Sequence, residues 1–222
     1  MGRQTIIGVG CAGNRIVNRI VDTGRMDSEF AAINTDRQEL ESCKANVKLL
    51  IGERETGGLG GMPPAFVEKA AEESATLIAG LCAGKASVII VAGLGAGTGT
   101  GAAPVVARIA KEQGCQVVAV VTRPFRFEGL FRRLRDATGL VRLADHVDRL
   151  VTVPLGDILP VLGRSISLRH AFDMGATVAA KAVELLPSLD TTPGPENSEV
   201  VDVRAMLALV HRATEQSGAN TY

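Results

Sequence analysis

The alternation of short apolar runs with amphipathic stretches constrains this chain more than any other feature. Six runs rich in β-branched residues predict strands at 5–9, 30–34, 47–51, 88–92, 117–122 and 150–153. Near-continuous apolar runs of this kind suit parallel strands that are buried on both faces. Stretches with helical periodicity lie between them, at 14–21, 64–81, 102–113 and 130–144. The sequence therefore predicts an α/β fold with a doubly wound, mostly parallel sheet.

The rest of the chain is predicted to be mostly helical. A long helix is expected over 168–186, where Pro187 ends it, and a last helix over 202–215. The segment 190–198 between them is the only one with the composition of a linker. We expect an α/β unit over 1–167, followed by the long central helix, a loop and the final helix over 168–222.

The first predicted strand runs into the sequence GVGCAG at 8–13, which has the spacing G-x-G-x-x-G and opens a helix. Glycines let a backbone approach a phosphate, and a helix N-terminus offers free N–H groups and a partial positive charge. In this context the motif predicts a nucleotide site, most often for a dinucleotide, although a structural turn without a ligand is the alternative. Asn34 or Asp36, after the second strand, lies roughly where such domains carry a ribose-binding acid.

The fourth predicted strand runs into GLGAGTGTGAAP at 93–104, a second glycine-rich segment that opens a helix. Its backbone N–H groups and the hydroxyls of Thr98 and Thr100 suit a diphosphate or triphosphate together with Mg²⁺. An NAD-dependent oxidoreductase needs no second loop of this kind, and the chain offers no set of residues for hydride transfer. We therefore expect the two glycine segments to converge on one polyphosphate ligand.

Composition narrows the classes of partner. The 24 basic and 24 acidic residues balance, so no nucleic-acid partner is expected. The cluster Arg123, Arg126, Arg132, Arg133 and Arg135 is interpreted as one nucleotide-binding arginine, Arg132, and a solvated helix face. No apolar run is long enough to insert in a membrane and no signal peptide begins the chain. Four scattered cysteines predict a reducing cytoplasm and no protein-ligated metal.

Further motifs occur in a recognisable order: AINTD at 32–36, TGGLGG at 56–61, GAGTGTG at 95–101, PFRFEG at 124–129, VLGRSISL at 161–168 and NSEVVDVR at 197–204. With them the chain resembles the FtsZ/tubulin family of GTP-binding, filament-forming proteins, and its FtsZ branch in particular. The resemblance implies a Rossmann-like GTPase domain followed by a long central helix. It also implies GTP or GDP as the ligand and a cytoplasmic role in cell division or the cytoskeleton.

The resemblance implies a set of site residues. Those expected to bind nucleotide are Gly10, Cys11, Ala12, Gly13, Asn14, Arg15, Asn34, Gly95, Ala96, Gly97, Thr98, Gly99, Thr100, Glu128 and Arg132. In the family, hydrolysis requires acids from the neighbouring subunit, and here these are Glu199 and Asp202, with Asn197 positioning them. Asp202 as a helix N-cap and Glu199 as a solvated side chain are the alternatives. The implied partner is a second copy or a full-length relative.

Several positions depart from the family pattern. Arg15 and Leu155 replace asparagines, and Ala176 replaces the Asp or Asn that reads the guanine edge. Such losses are expected to cost ~1–3 kcal/mol of base discrimination. The family continues past the last helix into a second domain, which this sequence lacks, so we expect a short form limited to the GTP-binding domain. Two hypotheses remain: a GTPase that works on self-association, and a pseudo-GTPase that regulates a full-length relative.

Overall fold

A sheet of seven parallel strands forms the centre of the computed structural model, which describes residues 4–24, 26–163, 166–186 and 198–217. The strands are β1 Gln4–Val9, β2 Glu29–Asn34, β3 Val47–Leu50, β4 Ser87–Gly93, β5 Gln116–Arg123, β6 Arg149–Pro154 and β7 Ser198–Val200. Their order across the sheet is β3-β2-β1-β4-β5-β6-β7. The predicted doubly wound α/β fold is confirmed, and every described strand pair is parallel.

Helices cover both faces of the sheet. They are α1 Gly10–Thr23, α2 Arg37–Glu41, α3 Glu53–Thr56, α4 Pro64–Glu73, α5 Ala75–Cys82, α6 Gly97–Glu112, α7 Leu130–Ala144, α8 Leu159–Leu162, α9 Leu168–Leu185 and α10 Val203–Ser217. One apolar core lies between the sheet and α1, α2, α9 and α10. A second lies on the opposite face, under α4, α5, α6 and α7. Such burial on both faces explains why the strands are apolar throughout rather than alternating.

The direction in which the chain winds reverses between β1 and β4. These two strands are neighbours in register, with Val9 beside Ala92 and Gly8 beside Val91. The segments that leave their carboxyl ends therefore start side by side. Ligands of doubly wound sheets bind at such a point, where the strand order reverses.

The structure changes the predicted elements in four places. Helices α1 and α6 begin at Gly10 and Gly97, so the glycine motifs form their first turns rather than loops before them. The predicted helix over 64–81 is two helices, which meet at Ser74. Strand β7 extends the sheet at the end of the segment read as a linker, and the short helices α2, α3 and α8 were not predicted.

Some expectations fall outside the described residues. These include Asn197, Pro187 and the remainder of the segment 190–197. The division of the chain at residues 167 and 168 stays a prediction. No helix in the described ranges is both long enough and apolar enough to cross a membrane.

Candidate functional site

A cavity of about 420 Å³ lies at the carboxyl ends of β1, β4, β5 and β6. Six parts of the chain surround it: the start of α1, residues 60–62, residues 93–99, the end of β5 with the following turn and α7, the turn after β6, and α9. Eleven of the fifteen predicted nucleotide-binding residues line it, namely Gly10, Cys11, Ala12, Arg15, Gly95, Ala96, Gly97, Thr98, Gly99, Glu128 and Arg132. The structure thus brings the two glycine segments to one cavity.

The two glycine segments pack directly against each other. Gly10 has a φ of +74°, and a Cβ there would lie 3.1 Å from the backbone nitrogen of Gly99. A Cβ on Gly97 would overlap the carbonyl oxygen of Met62, in the segment that closes the cavity from another side. Glycine is required at these positions because three backbone segments meet there with no room for side chains.

The N-termini of α1 and α6 both belong to the cavity wall. Neither helix has a side-chain hydrogen bond at its N-cap, and neither has an acidic residue in its first turn. The first N–H groups of a helix have no partner within the helix and carry a partial positive charge. Two such uncapped ends on one cavity favour an anionic ligand with more than one charged group.

Four of the predicted binding residues do not line the cavity, and three of them shape the segments around it. Thr100 Oγ1 accepts a hydrogen bond of 2.8 Å from the Gly95 nitrogen, which holds the second glycine segment in shape. Asn34 Oδ1 accepts hydrogen bonds from the backbone nitrogens of the next two residues, at 2.9 and 3.2 Å. Gly13 lets α1 approach the carbonyl of Val91. Asn14 is buried, and its amide has no hydrogen-bond partner in the structure.

Three arginines and one carboxylate line the cavity. Glu128 accepts a hydrogen bond of 2.8 Å from the Phe125 nitrogen and forms an ion pair with Arg132. Arg15 pairs with Glu39 at 3.2 Å. The third arginine, Arg135, makes no ion pair with any described residue and was interpreted as part of a solvated face. Arg135 is exposed, as that interpretation expects, and it also lines the cavity; its position one helical turn after Arg132 puts the two arginines on a shared face.

Cys11 brings a neutral thiol to the cavity wall. Burial raises the pKa of this thiol above its ordinary value; nearby Glu39 and Asp36 act in the same direction, while Asn34 opposes the shift. The Nδ2 of Asn34 donates a hydrogen bond to Cys11 Sγ at 3.7 Å. Since the thiol stays protonated near neutral pH, it places no negative charge beside the helix N-termini.

The end of the cavity opposite the glycine segments is apolar. Leu155, Phe172, Gly175 and Ala176 form its wall. Phe172 packs edge-on against Phe125, with ring centroids 5.2 Å apart. A flat aromatic ligand group could lie against these surfaces, whereas the glycine end suits charged groups.

Asp202, one of the predicted catalytic acids, lies outside this cavity. Asp202 is exposed and caps α10, because its Oδ1 accepts hydrogen bonds from the nitrogens of Arg204 and Ala205 at 3.0 and 3.1 Å. Glu199 lies in the edge strand β7, beside Val151 of β6. Asp202 is not among the described residues that line the cavity, and Asn197 lies outside the described residues.

Comparison with known proteins identifies the family to which a chain with this fold and this cavity belongs. Residues 3–161 match the family described as Tubulin/FtsZ family, GTPase domain. The chain belongs to the tubulin/FtsZ family. An FtsZ dimer from M. jannaschii, solved empty, is 41% identical to this tubulin/FtsZ chain, with a TM-score of 0.80 over 92% of this chain and 60% of that one.

More distant members of the tubulin/FtsZ family share the fold. A GTPγS-bound protofilament of CetZ2 from Haloferax volcanii is 25% identical, with a TM-score of 0.74 over 83% of this chain and 57% of that one. A GDP-bound CetZ1 monomer from the same organism, 23% identical with a TM-score of 0.73, covers 86% of this chain and 62% of that one and supports the fold alone. The present chain thus spans about 60% of the length of the FtsZ it matches.

Proposed function

We propose that the protein binds GTP and GDP in this cavity and hydrolyses GTP where two subunits meet. The observation that carries the proposal is the pair of uncapped helix N-termini, at Gly10 and Gly97, on the wall of one cavity. Membership of the tubulin/FtsZ family supports guanine nucleotides as the ligand class. The phosphates would lie against the two glycine segments, where backbone N–H groups offset their charge.

Arginines would complete the phosphate and sugar contacts. Arg132 and Arg135 lie on one face of α7, and Glu128 is held in place by the Phe125 nitrogen. Mg²⁺ would be held mainly through phosphate oxygens. Among the described residues no group of three or more His, Cys, Asp or Glu side chains could hold a metal, and the single lining carboxylate is paired with Arg132. Bound in this way, Mg²⁺ would neutralise phosphoryl charge.

The proposed subunit contact uses the exposed face of α7. Phe131 is 80% exposed, and Phe127, Leu130 and Leu134 are also largely exposed on the same side. An exposed apolar surface of this kind beside a ligand cavity is typical of a protein interface. We commit to a second copy of this chain as the occupant, because related proteins were solved as a dimer and as a protofilament. The contact would cover the mouth of the cavity.

The acids would come from that second copy. Within one chain Asp202 does not line the cavity, although it is exposed. Its Oδ1 caps α10, so Oδ2 is available to orient an attacking water on the neighbour's nucleotide. We assign Glu199 the same task and Asn197 a positioning role. Val200, which follows Glu199 in the edge strand β7, is exposed and also suits a contact.

The cellular role proposed is that of an assembling protein of cell division or the cytoskeleton. We propose a cytoplasmic location, which the four free cysteines support. Self-association would couple GTP turnover to assembly, because only assembled subunits possess a complete hydrolytic site.

The test of this function measures phosphate release from GTP over a range of protein concentrations. We expect the rate to rise faster than linearly with concentration. Asp202→Asn should abolish turnover and retain GTP binding, since an asparagine still caps a helix but carries no charge. Asp27→Asn, an exposed acid before β2, is the matched control. A rate strictly proportional to concentration would contradict hydrolysis at a subunit contact.

A second candidate function is that of a pseudo-GTPase, a binding module that regulates a full-length FtsZ-type relative with little turnover of its own. The apolar wall of Leu155 and Ala176 favours it, because it replaces polar contacts to the base. The distinguishing measurement adds the protein to an assembling FtsZ. A change in the polymer caused by the unmodified chain, together with no GTP turnover by this chain on its own at any concentration, would favour the second function.

A further inference from the structure

The following inference rests on the proposed nucleotide site. We infer that the cavity selects its ligand by phosphate charge and by aromatic stacking, and that it does not distinguish guanine from adenine. The substrate class of the site is then purine nucleoside diphosphates and triphosphates in general. The inference depends on the side chains at the apolar end of the cavity, where the base would lie.

The side chains of Leu155 and Ala176, which form the wall at this end, carry no hydrogen-bonding groups. Leu155 is only 5% exposed and fits against α9, because residue 175 is a glycine. A Cβ on Gly175 would lie 2.5 Å from Leu155 Cδ2. Leu155 therefore occupies the surface next to Ala176, and the two present only carbon atoms from their side chains to a bound base.

The guanine edge carries two adjacent donors, N1–H and the N2 amino group, which need an acceptor. Among the described side chains that line the cavity, the only carboxylate is Glu128, and it is held by the Phe125 nitrogen and Arg132. Thr98 shares a hydrogen bond of 3.0 Å with Thr35. Arg15 carries donors only. Thr122 also lines the wall, and because its hydroxyl can donate or accept, it fits either purine. No free side-chain carboxylate or amide in the described part of the wall matches guanine better than adenine.

Two acidic side chains near the cavity could in principle accept hydrogen bonds from guanine. Glu39 and Asp173 line a separate groove between α1 and α9 and are absent from the wall of the central cavity. Glu39 is also paired with Arg15. Arg15 and Ala176 line both the groove and the cavity, so the groove adjoins the cavity, but neither acid is among the described residues that line the cavity itself.

A purine base can still stack on an aromatic ring of the cavity wall, and stacking does not depend on the hydrogen-bonding groups at the edge of the base. Phe172 lies on the cavity wall and is fixed by its edge-on contact with Phe125. Every purine presents a π-face of similar size to such a ring. Phosphate contacts through the two glycine segments are equally independent of the base. Both attractive contributions therefore act on ADP as on GDP.

The experiment titrates nucleotide-free protein with GDP, ADP and inorganic pyrophosphate in a calorimeter. We expect the dissociation constants for GDP and ADP to agree within ~3-fold, because no edge contact separates them. Ala176→Asp should restore an acceptor and raise the preference for GDP to ~10-fold or more. Thr177→Asp adds the same charge one residue later, outside the cavity lining, and should leave the ratio unchanged.

The outcomes separate the inference from the function on which it rests. Binding of GDP with ADP weaker by ~100-fold would overturn the inference and leave the proposed function standing. Failure of GDP, ADP and pyrophosphate to bind would overturn the proposed function and the inference with it. Leu155→Asn is the second variant, for use where Ala176→Asp does not fold, and should also raise the preference for GDP. An unchanged ratio in both folded variants would overturn the assignment of these two positions as specificity determinants.

Discussion

The two ends of the cavity differ in which atoms form their surface: backbone atoms at one end and side chains at the other. At the glycine end, backbone N–H groups of α1 and α6 form the surface, because the glycines there have no side chains to cover them. At the opposite end the surface consists of the side chains of Leu155, Phe172 and Ala176. The first end therefore depends on backbone shape, and the second on the identity of a few residues.

This difference explains how one end can change while the other persists. Charge attraction between a helix N-terminus and a phosphate survives substitutions that leave the backbone in place. Recognition of a base edge is lost when a single polar side chain is replaced, because each donor needs its own acceptor. Family membership therefore supports phosphate binding more strongly than it supports guanine specificity.

The largest effect is expected from a substitution at the backbone-built end. Gly97→Ala would place a Cβ on the carbonyl oxygen of Met62, so the segment at 60–62 must move away from the cavity. A displacement of this size is expected to weaken GDP and ADP binding by ~100-fold. The measurement is a calorimetric titration, with circular dichroism to verify the fold.

Gly80→Ala is the matched control for Gly97→Ala. Gly80 lies within α5, and a Cβ there meets no atom within 4 Å. This change should leave binding intact and stabilise the helix by ~1 kcal/mol. Wild-type affinity in folded Gly97→Ala would break the distinction between the two ends, since the glycine end would then tolerate side chains.

Sequence patterns were sufficient for the parts of the molecule that follow from periodicity and from backbone chemistry. The strands and the convergence of the two glycine segments could be predicted because parallel strands end at the same edge of the sheet. The starts of α1 and α6 could not be predicted, because glycine is a poor helix former and a glycine-rich first turn therefore has no helical signal in the sequence. Strand β7 was missed because three residues beside a proline-bearing segment carry no period.

Side-chain placement was harder to foresee than the fold. The sequence predicts a solvated face for Arg135, which is exposed, but spacing alone does not reveal that this side of α7 also meets the cavity. Leu155 and Ala176 were recognised as departures, but their mutual packing across Gly175 required coordinates. Asp202 caps α10 through Oδ1, which leaves its second carboxylate oxygen available for the catalytic role that we propose.

A second prediction sharpens the role of charge at the glycine end. Arg135 lines the cavity without an ion-pair partner among the described residues, so its guanidinium is free to meet a phosphate. Arg135→Gln should weaken GTP binding by ~3–10-fold, with a smaller loss for GDP, because the arginine is exposed and partly screened. Arg133→Gln removes the same charge from a neighbouring position outside the cavity lining and is the control. Equal losses in the two variants would indicate a general field effect and not a contact.

The smallest effect is expected at the apolar end, where Gly175→Ala tests how closely the wall is packed. The added Cβ would come within 2.5 Å of Leu155 Cδ2, the flexible tip of a side chain, which must shift toward the cavity. Alanine within α9 gains ~1 kcal/mol of helix propensity, which offsets the strain, so the melting temperature should change little. Affinity should nevertheless fall by ~2–5-fold, and equally for GDP and ADP, because a carbon surface obstructs both bases alike. Gly156→Ala, whose Cβ meets nothing within 4 Å, is the control. A loss confined to GDP would mean that this wall still reads the guanine edge, and the contrast between the two ends would then be one of degree.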